Sequence, residues 1–145
     1  MTKPIIIIVG AQLGSESKGT VVGHLCKERN IDFCVRTGSI NAGHTVIYND
    51  KAYANQTIPV GWVNPKTNLV IGAGAYIEPN ILKREVEMIN EATGEDVRKR
   101  LFIDHRAGLH TDEHKKQEEG LHQRMGSTGK GCAAAIKDKI DRRFD

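Results

Sequence analysis

Five consecutive apolar residues, Ile5-Ile-Ile-Ile-Val9, run directly into Gly10-Ala-Gln-Leu-Gly14-Ser-Glu-Ser-Lys18-Gly-Thr20. A run that is apolar at every position suits a parallel strand covered on both faces, because a strand with one wet face alternates. The glycine-rich turn lets backbone approach a ligand closely. The helix expected after it points unpaired N–H groups and the positive end of its dipole at an anion, and a lysine adds a point charge. The segment therefore predicts a phosphate or nucleotide site. Its spacing is not that of the ordinary phosphate loop (Gly, four residues, Gly-Lys-[Ser/Thr]), because Lys18 precedes the last glycine, Gly19, and Thr20 follows it.

Beyond the loop, strand and helix signals alternate. The spacing predicts a helix over 18–29 with Val21, Val22, Leu25 and Cys26 on its buried stripe, then a short strand over 32–36. Strands over 45–48 and 52–57 read as a hairpin joined across Asn49-Asp50-Lys51. An apolar strand over 69–71 ends in Gly72-Ala-Gly74, and Pro79 is placed to open a helix to about residue 92 with Ile81, Leu82, Val86 and Ile89 inward. A strand over 101–104, an exposed polar stretch over 110–124 and a last helix over 129–143 follow. This order predicts an α/β fold with a mostly parallel central sheet and flanking helices, a phosphate-loop-like nucleotide-binding architecture. At 145 residues the chain fits one domain.

The net charge of +3 is mild and its basic residues are scattered among acidic ones, which argues against a nucleic-acid binder. Three cysteines without metal-type spacing predict buried or incidental thiols in a reducing compartment. No apolar run is long enough to span a membrane, and residues 5–9 are too short for a secretory signal, so a cytoplasmic protein is expected.

Further blocks sharpen the reading: Asn41-Ala-Gly-His-Thr45, Gln56-Thr-Ile-Pro-Val-Gly61, Gly126-Ser-Thr-Gly-Lys-Gly131 and Asp138-Lys-Ile-Asp-Arg-Arg143. With the first loop, in this order, they resemble the adenylosuccinate synthetase family. That family's pattern is a Gly-Asp-Glu-Gly-Lys-Gly loop, Asn-Ala-Gly-His-Thr, Ile-Pro-x-Gly, Gly-Thr-Thr-Gly-x-Gly and an Arg pair. The resemblance covers residues 5–143, and members of the family are longer, so residues 1–145 are expected to be the N-terminal portion of one synthetase-like domain, incompetent for catalysis alone.

The resemblance implies a triphosphate-driven amination in two steps. A γ-phosphoryl group moves to the purine 6-oxygen, and the amino group of aspartate displaces it. Lys18 is implied beside the transferring phosphoryl group and His44 as the group stabilising charge on the 6-oxygen. Gly14, Ser15, Glu16, Ser17, Lys18, Gly19 and Thr20, with Gly43, His44 and Thr45, would hold the triphosphate (ATP, dATP or GTP). Asn41, Ala42, Gln56, Ser127, Thr128 and Gly129 would hold the purine monophosphate. Arg142 matches an arginine that reaches a partner's monophosphate, implying a homodimer; Ser15 and the Gly43 carbonyl would face Mg²⁺.

Two departures stand in the first loop, where Ser15 replaces the family's catalytic aspartate and Ser17 a glycine. A serine hydroxyl does not take a proton at neutral pH without an activating group, and Glu16 is the adjacent candidate for part of that work. The serine is similar to the phage branch of the family, which joins aspartate to dGMP in making 2-aminoadenine nucleotides. An ordinary synthetase using IMP and a non-catalytic nucleotide-binding relative remain alternatives at the level of sequence.

Overall fold

The computed structural model of the chain describes residues 4–12, 14–119 and 129–142. Helix α1 (Lys18–Glu28) leads to strand β1 (Phe33–Arg36) and a hairpin of β2 (His44–Tyr48) and β3 (Lys51–Asn55). A short 3-10 helix, Val60–Val63, precedes β4 (Asn68–Ile71) and β5 (Tyr76–Ile77). Then come α2 (Pro79–Thr93), a second 3-10 turn (Val97–Arg100), β6 (Leu101–Ile103), β7 (Gly108–Leu109), α3 (Asp112–Glu118) and α4 (Cys132–Ile140).

β1, β4 and β6 form a parallel sheet in that order, with Val35 opposite Val70 and Val70 opposite Phe102. β5 and β7 form a second parallel pair beyond the strand ends. The antiparallel hairpin turns at Asn49 and Asp50, both left-handed at φ 48° and 60°, as the Asn-Asp pair predicts. The expected α/β class and parallel sheet are present.

Local chemistry explains the helix ends. The Glu78 carboxylate accepts the N–H groups of Asn80 and Ile81 at 3.1 Å each, and Pro79, which has no N–H to satisfy, starts α2. Gly94, left-handed at φ 72°, ends it. Trp62 is the largest buried side chain; the rings of Tyr48 and Tyr53 lie 5.3 Å from it and its indole N–H donates to Asn55 Oδ1 at 2.9 Å. Cys26, Cys34 and Cys132 are free and buried, as expected.

Three expectations change. Residues 5–9 form no strand, and Ile5, Ile7 and Val9 are 89%, 77% and 78% exposed. An unbroken apolar run states which environment a segment requires, not whether the described chain supplies it. Here the outer face of the sheet is bare too, with Phe33, Val35 and Phe102 exposed. In α1 the buried stripe is Gly19, Gly23 and Cys26, while Val21 is exposed, because the helix approaches β2 closely enough that a Cβ on Gly23 would strike Val46. Finally, α3 is not wholly exposed: Glu118 is buried against the start of α4 and His114 is buried with its ring on Asp138 further along it.

Candidate functional site

The first loop folds around its own carboxylate. Glu16 Oε1 accepts the backbone N–H of Ala11 at 2.6 Å and of Gln12 at 2.9 Å, and Oε2 accepts from the Lys18 ammonium. Those bonds, led by the one from Lys18, hold the Glu16 carboxyl below its usual range. Gly14, Ser15 and Ser17 all adopt positive φ (120°, 55° and 54°), so the chain winds tightly before α1 begins at Lys18. Two backbone donors and an ammonium converging on one carboxylate form an anion cradle.

α1 is locked to the second motif where Gly19 meets β2. A Cβ at Gly19 would stand 2.7 Å from the Thr45 carbonyl oxygen and 2.8 Å from its nitrogen, so any side chain there would force the elements apart. Thr20 Oγ1 donates to the same carbonyl at 3.3 Å. Lys18 and His44 thereby share one corner of the molecule.

His44 is half-buried. Burial, followed by the positive charges of Arg36 and Lys18, pushes its pKa down to about 4, so the imidazole is neutral at neutral pH. Arg36, buried on β1, donates from Nη1 to His44 Nδ1 at 2.7 Å and from Nη2 to the Ala42 carbonyl at 2.5 Å. Asn41, Ala42 and Gly43 form an exposed bend above it. Gln56, expected at the purine, turns its amide to the Ile40 carbonyl at 2.9 Å and so orders the base of that bend. The following backbone is held by Glu85 of α2, whose carboxylate accepts from Gln56, Thr57 and Ile58.

Arg36 and Glu85 were missed in the sequence reading. A signal existed for Glu85, a charge on the same stripe of α2 as Leu82, Val86 and Ile89. Arg36 gave one too, an arginine inside a strand at a position whose burial alternates inward.

The glycine-rich segment expected to hold the monophosphate is only partly described, since Ser127 and Thr128 lie outside the described residues. Gly129 and Gly131 are left-handed (φ 62° and 76°), and α4 begins at Cys132. The N–H groups at its start go to Glu118, which accepts from Gly131 at 2.8 Å and Ala133 at 2.6 Å. α4 packs on α3 and β7. The helix expected to reach residue 143 ends at Ile140, and Arg142 follows it, exposed and at φ 54°.

Among the described residues no three His, Cys, Asp or Glu side chains converge as a metal cage. Ser15 and Gly43 offer neutral oxygen donors, and the loop's carboxylate is engaged by Lys18. That donor set fits a Mg²⁺ ion whose other ligands are phosphate oxygens and water. A wide apolar concavity of about 1420 Å³ beside α2, lined by Leu82, Val86, Leu101, Ile103 and Leu109, takes in Lys139 of the last block but neither Lys18 nor His44. The site is therefore placed by its converging polar groups and not by this hollow.

Comparison with known proteins agrees with this geometry. The family model for adenylosuccinate synthetase matches residues 7–144. The adenylosuccinate synthetase of Pyrococcus horikoshii is 35% identical over 97% of this chain, and that of Methanocaldococcus jannaschii 37% over 92%. The chain spans 42% and 39% of those two relatives, about two fifths of their length. Among solved structures, fully ligated adenylosuccinate synthetase from Plasmodium falciparum superposes with a TM-score of 0.79 at 30% identity, over 92% of this chain and 32% of that one. The succinoaminodeoxyadenylate synthetase of cyanophage S-2L, bound to dGMP and to dATP as an energy donor, gives 0.77 at 30% identity, over 91% and 37%. The loop geometry, the Lys18–His44 corner and these matches lead to one conclusion: the chain belongs to the adenylosuccinate synthetase family.

Proposed function

We propose that these residues form the phosphoryl-transfer and purine-monophosphate portion of a ligase that joins L-aspartate to the purine 6-position of dGMP. The observation that carries this reading is the corner itself: an anion cradle with Lys18 packed through Gly19 against a neutral, half-buried His44. Phosphoryl transfer to an oxygen calls for positioning and charge stabilisation more than for covalent chemistry. Lys18 neutralises the γ-phosphoryl group, the amides now held by Glu16 turn to phosphate oxygens, and the His44 imidazole donates to the purine 6-oxygen as negative charge develops there. Ser15 Oγ and the Gly43 carbonyl would hold Mg²⁺, which would supply further charge neutralisation on the triphosphate.

Ser15 favours dGMP over IMP. It places a small neutral hydroxyl where the family resemblance puts a carboxylate, relieving crowding and charge near the purine 2-position. The cyanophage neighbour with bound dGMP supports that choice. The relatives from Pyrococcus and Methanocaldococcus support the second reading, an ordinary synthetase acting on IMP. A homodimer completed by Arg142 belongs to either reading.

The test is turnover by the intact gene product that carries these residues, given Mg²⁺, aspartate and a mixture of ATP, dATP and GTP. Succinyl-nucleotide formation from dGMP and little from IMP is the expected result. Formation only from IMP would establish the ordinary synthetase, and none from either would indicate a nucleotide-binding relative without catalysis.

A further inference from the structure

We propose that Arg36 is a positioning residue that sets the tautomer of His44, holding Nδ1 unprotonated so that Nε2 carries the ring's only N–H toward the reacting oxygen. The inference deepens the proposed reaction and rests on the reading of His44 as a donor, although its structural half can be tested without substrate.

A guanidinium is always charged and has no acceptor. With Arg36 Nη1 2.7 Å from His44 Nδ1, the imidazole nitrogen must accept, since an N–H there would face another N–H. A neutral imidazole accepting at Nδ1 carries its proton on Nε2. The Glu16 carboxylate is committed to Lys18 and that of Glu85 to the backbone of residues 56–58.

The placement of Arg36 is not what fold stability alone would select. It is buried at 5% exposure, yet no carboxylate pairs with it directly among the described residues; Glu85 acts on it only through space. Its Nε has no hydrogen-bond partner among the described residues. Among the described residues its side-chain bonds go to the Ser39 and Ala42 carbonyls before β2 and to the ring of His44, where β2 begins. A buried guanidinium held at such desolvation cost is used here to aim a bend and one imidazole.

The experiment is long-range ¹H–¹⁵N correlation on the intact gene product labelled with [¹⁵N]histidine, at pH 7, with His44 assigned by its loss in His44→Gln. The expected spectrum shows Nδ1 of the acceptor type and Nε2 bearing hydrogen. An Nδ1–H tautomer or a doubly protonated ring in the unmutated protein overturns the proposal whatever any variant does. Arg36→Lys, which keeps the charge but loses the fork, should mix the tautomers and lower kcat about tenfold or more with little change in nucleotide KM. A single Nε2–H tautomer together with unaltered kcat in a folded Arg36→Lys protein would also overturn it. Loss of turnover in His44→Gln tests the catalytic reading separately, because the ligand-free spectrum does not depend on which reaction is run.

Discussion

Glu85 on α2 accepts the backbone N–H of Ile58 at 2.7 Å, 27 residues earlier in the chain, and takes those of Gln56 and Thr57 with the same carboxylate. One charged side chain thus fixes the segment leaving β3, and through Gln56 the bend that carries Asn41 and His44. Glu85→Ala would leave buried donors at Thr57 and Ile58 unpaired, at about 1–3 kcal/mol apiece. A loss of about 2–6 kcal/mol in urea unfolding is expected, and Glu85→Gln, which keeps an oxygen acceptor, should lose less. An unchanged midpoint in Glu85→Ala would refute this role.

Ser17 stands at φ 54° as the residue before α1, where the family pattern has glycine. A residue with a Cβ is strained there by roughly 1–2 kcal/mol, while glycine costs the unfolded chain about 0.5–1 kcal/mol in entropy. Ser17→Gly should therefore stabilise by about 0.5–1 kcal/mol, read as a higher urea midpoint at constant m-value. A lower midpoint would show that the hydroxyl makes a compensating bond.

The alternating order of elements, both ends of α2 and the hairpin turn were legible because each rests on local chemistry: Pro79, Gly94 and the Asn49-Asp50 pair. The motif residues Lys18 and His44, singled out in the sequence, are brought to one corner by the packing of Gly19 on β2. Arg36 and Glu85 were passed over: each stands at a position that its strand or helix turns inward, but burying a charge is decided by what the rest of the fold brings to it. Residues 5–9 failed for the complementary reason: their apolar pattern was clear, but the cover it calls for is not among the described elements. The buried half of α3 was hidden because a Glu and a His look solvated until α4 brings N–H groups and Asp138 to them.

The depressed pKa of His44 makes a prediction about acid. Its folded value of about 4 lies below the unfolded 6.5, so the unfolded chain binds more protons between those values. Stability from this group is complete above pH 6.5 and is lost as pH falls toward 4, by roughly 3 kcal/mol at the limit. Buried His110 is shifted in the same direction and adds to the slope. Urea unfolding at pH 7.5, 5.5 and 4 should show the loss, with a shallower slope in His44→Gln. Equal slopes in the two proteins would mean that His44 is protonated freely in the folded state.

Removing the imidazole should act on chemistry more than on binding. In the intact gene product, His44→Ala is expected to lower kcat for phosphoryl transfer by about 100- to 1000-fold, the range for a lost donor to a developing oxyanion. KM for the monophosphate should change little. A rise in KM with kcat preserved would make His44 a binding group instead.

Ser15 decides the substrate if the dGMP reading holds. It sits exposed and left-handed at φ 55° beside the Glu16 cradle, so a longer side chain can be accepted without disturbing the core. Ser15→Asp introduces a carboxylate that can take the purine N1 proton and help hold Mg²⁺, and its bulk and charge oppose a 2-amino group. The ratio of kcat/KM for dGMP to that for IMP should fall by tenfold or more, since a difference of about 1.4 kcal/mol suffices for that change. Asp at this left-handed position is tolerated better than most residues, so a folding defect is not expected to mask the result. A ratio unmoved by the substitution would take the choice of purine away from Ser15.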